Sequence, residues 1–133
     1  MGRRRKGGRG AHLSGVVIVD KPQGPTSHDV VGRIRRALDT GRVGHAGTLD
    51  PMATGVLVLG VGEGTKLVRW LTADDKAYTA TLRLGAETDT LDAEGKVVAR
   101  AAVPPLVRTG VEQIAASFVG KILQRPPRFS AIK

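Results

Sequence analysis

A mixed α/β (α+β) fold is what this sequence predicts, and three observations carry the prediction. Two aliphatic runs, Val16-Val17-Ile18-Val19 and Val56-Leu57-Val58-Leu59, are bounded by glycine or turn residues, as strands are. Between and after them, apolar residues recur at helical spacing. The 133 residues suit one domain, and a 41% hydrophobic content suffices for a core. With only 3% aromatic residues, that core must be built mainly from Val, Leu, Ile and Ala.

Residues 1–14 read as a disordered basic leader. Arg3, Arg4, Arg5, Lys6 and Arg9 supply much of the net charge of +9, so the body that follows is only moderately basic. A polyanion is the natural partner, and nucleic acid fits better than membrane because no amphipathic basic helix stands out. The plainer alternative is a solubilising tail. Val16–Val19 then reads as a buried strand, and Lys21-Pro22-Gln23-Gly24-Pro25 as a turn. Thr26 or Ser27 is the candidate N-cap of a helix running to Leu38, with Asp29 in the first turn. Val30, Val31, Ile34 and Leu38 form its inner face. Arg33, Arg35 and Arg36 lie largely opposite, and a solvated face is preferred there to an RNA-contacting stripe.

Thr40 to Pro51 reads as a glycine-rich loop, and Val56–Leu59 as a second buried strand. A short helix is expected over Thr65–Leu71. Lys76 to Leu84 alternates with period two, which predicts a half-buried strand. Val97-Val98 is a candidate hairpin partner after the acidic stretch Thr88–Gly95. Val111 to Val119 predicts a helix with Val111, Ile114, Ala115 and Phe118 inside and Gly120 as its cap. Phe129 to Lys133 looks like the start of a further strand, which suggests a truncated chain.

Several chemistries fail on spacing. Gly60-Val61-Gly62-Glu63-Gly64-Thr65-Lys66 invites a phosphate-loop reading, but Thr65 separates Gly64 from Lys66, and Leu67 stands where Ser or Thr is needed. The dinucleotide fingerprint fails because the third glycine comes one residue early. Asp89, Asp92, Glu94 and Gly95 lack calcium-loop spacing and read as a solvated acidic turn. His12, His28 and His45 are scattered, and no cysteine accompanies them, so neither zinc nor a disulfide has support. No Gly-x-Ser-x-Gly elbow is present.

Asp50 remains. An aspartate before proline often only starts a turn. Here His45 lies five residues earlier, Lys66 follows the next strand, and Tyr78 opens the one after. If Val56–Leu59 and Tyr78–Leu84 are neighbours in one sheet, these four polar groups can surround one cleft. A carboxylate there can serve as nucleophile or general base, and a tyrosine can stack on a base.

These motifs resemble those of the TruB-type tRNA pseudouridine synthases, a family related to the dyskerin-type enzymes. The blocks in order are Val19 to Ser27, Gly44-His45-Ala46-Gly47-Thr48-Leu49-Asp50-Pro51 through Leu57, Gly62 to Lys66, Lys76-Ala77-Tyr78, Leu84 to Gly95, and Gln124 to Lys133. The resemblance implies a mixed, largely antiparallel sheet flanked by helices, with residues 15–133 as the N-terminal portion of the catalytic domain, incomplete at its C-terminus. It implies isomerisation of uridine 55 in the tRNA T-loop, by a cytoplasmic monomer without cofactor or metal. Asp50 matches the essential catalytic residue. Tyr78 matches the residue that stacks on the target base, and His45 one that holds the rearranged loop while the base is flipped out. Lys21 and Lys66 match basic positions near the active site and the RNA, and Arg42 and Thr48 are further candidate RNA contacts. The family's domain continues past the Ser130-Ala131-Ile132-Lys133 block with an arginine that pairs with the aspartate. The 133-residue chain alone is therefore expected to be inactive or poorly folded. The rival readings are a non-catalytic RNA-binding module and a nucleotide-binding protein.

Overall fold

The computed structural model describes residues 13–123. The expected leader through His12 and the expected strand Phe129–Lys133 lie outside the described residues. The chain divides after Ala77 into two compact units.

The first unit is a three-stranded antiparallel sheet with a helix on one face. Strands β1 (Gly15–Lys21), β2 (Val43–Ala46) and β3 (Gly55–Val61) lie in the order β1-β3-β2. The central β3 pairs along its whole length with β1, from Gly15↔Val61 to Lys21↔Gly55. On its other edge Val43↔Val61 to Ala46↔Val58 pair it with β2. Helix α1 (Ser27–Ala37) begins in a capping box. Thr26 Oγ1 accepts from Asp29 N at 3.1 Å, and the Asp29 carboxylate accepts from Thr26 N at 2.8 Å. Thr26 is therefore the N-cap, and Ser27 is free for other work.

The core forms where α1 covers the sheet. Val30 and Val31 of α1 are buried against Val43, Leu57, Leu59 and Val61, with Val17, Val19, Ile34, Leu38 and Leu49 packed around them. The two aliphatic strands expected to be buried are buried on one face only: Ile18 and Val56 are each 69% exposed. A single helix layer covers one face of an antiparallel sheet, so alternate residues stay outside. After β3 the chain turns through a 3₁₀ segment (Gly62–Leu67) into one turn of helix, α2 (Val68–Leu71). The glycines that suggested a phosphate loop have a packing reason. A Cβ on Gly60 would meet Gly64 O at 2.5 Å, and one on Gly64 would strike the carbonyl of Gly15. They let the turn close onto the sheet.

The second unit holds a hairpin, β4 (Ala86–Thr88) with β5 (Val97–Arg100), and helix α3 (Arg108–Ala116). Val97-Val98 does pair back across the acidic stretch, but its partner is β4 and not the strand expected at 76–84. The hairpin's acidic connection is self-satisfied: Asp92 Oδ1 accepts from Thr90 Oγ1 at 2.6 Å and from Glu94 N at 2.9 Å, and Asp89 Oδ1 accepts from Lys96 N at 2.8 Å. Two expectations fail here. Residues 76–84 form no strand: among the described residues nothing pairs with them, and β3, their expected neighbour, carries β1 and β2 on its two edges. The expected inner face of the last helix is open, with Ile114 and Phe118 each 66% exposed and Ser117 rather than Gly120 as the C-cap.

Candidate active site

The site is assembled at the end of the first sheet where β1 stops, β2 stops and β3 begins. Residues 47–54 form the loop that joins β2 to β3, and Asp50 sits within it. Gly47 turns the chain out of β2 with φ of 90°. The backbone on either side of Asp50 is then fixed by two different elements. On one side Ser27 Oγ accepts from Leu49 N at 2.9 Å and donates to Leu49 O at 3.1 Å. On the other, Pro51 O accepts from Gly24 N at 2.8 Å and from Lys21 Nζ at 3.4 Å. Asp50 O itself accepts from Ala53 N at 3.0 Å. The Asp50 side chain is exposed, and among the described residues no donor or cation engages it. The backbone is held and the carboxylate is left free.

Lys21 acts from beneath. Its side chain is 0% exposed, and its ammonium also donates to Pro22 O at 3.0 Å and Pro25 O at 2.9 Å. With three carbonyls for three N–H groups, this cation ties the turn after β1 to the Asp50 loop. Ser27 is the residue that sequence reasoning undervalued. Thr26 takes the capping role, which leaves the hydroxyl of Ser27, 1% exposed, for the loop. The signal was two hydroxyl residues in tandem at one helix start.

His45 lies at the end of β2, paired with Leu59, and not in a loop as expected. Two residues with flanking glycines looked irregular, but β3 supplies the ladder that makes them a strand. The carbonyl of Gly47 can only accept, so His45 Nδ1, 2.6 Å away, carries the proton and leaves Nε2 free. Its ring meets that of His28 edge-on at 5.2 Å. Thr48 is exposed between Gly47 and Leu49. His45, Thr48, Asp50 and Lys21 are thus brought together.

Arg42 and Lys66 are not brought to Asp50. They lie where β2 begins and β3 ends, at the other end of the sheet, and share the Glu63 carboxylate. Lys66 and then Arg42, both bonded to it, hold that carboxyl below its ordinary range. Tyr78 opens the second unit, 67% exposed. Among the described residues no cluster of three or more potential metal ligands occurs.

Solved structures share this mixed α/β fold. The chain is similar to a complex described as Cbf5-Nop10-Gar1, at 32% identity and a TM-score of 0.57, covering 89% of this chain and 30% of the other. An H/ACA RNP bound to a substrate RNA containing 2′-deoxyuridine matches at 28% identity and a TM-score of 0.56, over 88% of this chain and 31% of the other.

The chain belongs to the TruB family of pseudouridylate synthases, whose N terminal domain model matches residues 35–133. Among curated relatives named tRNA pseudouridine synthase B, that of Arthrobacter sp. (strain FB24) is 55% identical over 121 residues, 91% of this chain and 40% of its own length. That of Corynebacterium diphtheriae is 56% identical over 123 residues, 90% of this chain and 41% of the relative. That of Opitutus terrae is 50% identical, over 91% of this chain and 50% of the relative. The chain thus spans half or less of the length of these relatives. The family resemblance and mixed fold read from the motifs are borne out.

Proposed function

We propose that this chain carries the catalytic aspartate of a tRNA pseudouridine synthase that isomerises uridine 55 in the T-loop. The observation that carries the reading is the treatment of Asp50: its two neighbours are pinned to α1 and to the turn after β1, while its carboxylate is exposed and uncommitted. Asp92, in the hairpin turn, by contrast spends its carboxylate on the N–H groups of Glu94 and Gly95.

The reaction breaks the C1′–N1 bond, turns the base and joins C5 to C1′. Joining C5 to C1′ releases the C5 proton to solvent while the freed N1 takes one up, so the product is an isomer of the substrate and no group carrier or cofactor is required. Asp50 serves as the reacting carboxylate on the sugar or base. Reaching it requires flipping the uridine from its stack, at a cost of a few kcal/mol. His45 offers its free Nε2 to the opened loop, and Thr48 its hydroxyl to the backbone. Tyr78 supplies a stacking face for the base. Lys21 fixes the loop that presents Asp50. Arg42 and Lys66, at the far end of the sheet, serve RNA phosphates remote from the reaction. The partner is the T-arm of tRNA, and the working form a cytoplasmic monomer.

The test is tritium release from tRNA labelled at C5 of uridine, using the protein encoded by the complete reading frame. Asp50→Asn is expected to abolish release while leaving tRNA affinity within about threefold, a loss too small for a phosphate contact. Turnover retained in that variant removes Asp50 from its role.

A further inference from the structure

The arginines of α1 are of two kinds. Arg35 turns to the sheet, where its Nη2 donates to Val43 O at 2.8 Å. Arg33 and Arg36 are exposed, and among the described residues neither makes a hydrogen bond or ion pair within reach. With Pro25, His28, Asp29 and Gly32 they line a solvent-open concavity of about 490 Å³. That is wide enough for a nucleotide-sized group, since ligand sites commonly span roughly 300–1,000 Å³. His28, Asp29, Gly32, Arg33 and Arg36 recur at helical spacing and form one stripe of α1, away from the buried Val30 and Val31, and Gly24 and Pro25 of the preceding turn complete the lining.

Two features separate this stripe from an ordinary solvated face. Gly32 stands in mid-helix, where glycine is the poorest residue after proline. Nothing in the packing requires it: a Cβ there would meet only Arg36 Nη1, at an ordinary 3.7 Å. Its effect is to keep the floor of the concavity open beside that guanidinium. The second feature is position. His28, on the wall, meets the His45 ring edge-on, so the concavity lies beside the Asp50 loop. The carboxylate in the lining, Asp29, does not close it to anions. Its Oδ2 is turned into the helix cap, accepting from Thr26 N and Oγ1 at 2.8 and 2.7 Å.

We propose that this concavity holds the phosphodiester backbone of the substrate RNA next to the reacting nucleotide, with Arg33 and Arg36 binding successive phosphates. The inference rests on the tRNA reading above. Guanidinium forks on adjacent helical turns suit phosphate oxygens, and such contacts position an RNA without reading its sequence.

The test measures tRNA affinity against salt concentration by filter binding, with the full-length protein. Arg33→Gln with Arg36→Gln is expected to lower the log–log salt slope by about 1.4, roughly 0.7 for each single-strand phosphate lost. The control removes as much charge elsewhere: Arg83→Gln with Arg100→Gln, both exposed in the second unit, leaves the slope unchanged. Gly32→Ala is expected to raise the unfolding midpoint yet weaken tRNA binding severalfold, a combination that damage to the fold cannot give. An unchanged slope in the Arg33 and Arg36 variant, an equal loss in the control, or full affinity in a stabilised Gly32→Ala overturns the proposal alone. A wild type that does not bind tRNA overturns the functional reading and this inference with it.

Discussion

Ser27 shows how much of a site can rest on one hydroxyl. It both donates to and accepts from Leu49, and it is buried. Removing it leaves a backbone N–H and C=O without partners, each costing about 1–3 kcal/mol when buried. Ser27→Ala is expected to destabilise the protein by about 2 kcal/mol in urea unfolding. It should also lower kcat more than it raises KM, because Asp50 is no longer held. At this scale the sequence was partly readable. Asp50 stood out through its company of His45, glycines and proline. Ser27 did not, because its partner lies 22 residues away and nothing local marks the bond. Lys21 matches a basic position of the family motif, yet its burial and its three carbonyl partners make it a brace under the loop.

Among the elements, β1, α1 and β3 were legible because hydrophobic period and cap chemistry are local. β2 was not, since Val43-Gly44-His45-Ala46 has weak strand propensity and exists through its pairing with β3. Residues 76–84 show the converse, a period-two pattern with no partner among the described residues. The start of α1 yields a pH prediction. The hydrogen bond from the Thr26 hydroxyl, more than any other cause, holds the Asp29 carboxyl below its ordinary 3.8. A carboxyl lowered in the folded state adds stability that is complete above its unfolded value and is lost as pH falls through the folded one. Asp29→Ala should therefore be less stable than wild type at neutral pH. The gap in thermal midpoint should close on acidification below 3.8. A gap constant across that range would refute the capping role. The 3₁₀ segment yields another. Gly64→Ala would drive a methyl into the Gly15 carbonyl, and overpacking of this kind costs about 1–3 kcal/mol. Gly32→Ala, free of such a clash, should move stability the other way, and paired melts of the two variants check both signs.

Across the whole chain, the sequence conveyed membership of a family more fully than it conveyed packing. Family motifs are runs of neighbouring residues and can be read locally, whereas exposure depends on which faces find cover. The spacing of Ile114 and Phe118 alone predicts an interior, and both are exposed.

The double pinning of the Asp50 loop also binds its motion to that of the rest of the first unit. Leu49 N is bonded to the first residue of α1, and Gly24 N to Pro51, across 22 and 27 positions of sequence. Opening the loop alone means breaking both bonds together with the Lys21 contact to Pro51 O, so the loop is expected to open only with α1 or the turn after β1. The amides of Leu49 and Gly24 should thus exchange with the same opening free energy as those in the middle of α1, slower than Thr48 by orders of magnitude. Early exchange at Leu49 with α1 still protected would show a loop that opens on its own. If the two rates coincide, the protein has no state in which the helix is undocked and the carboxylate still in place, and reactivity becomes a report on the cooperative unfolding unit itself.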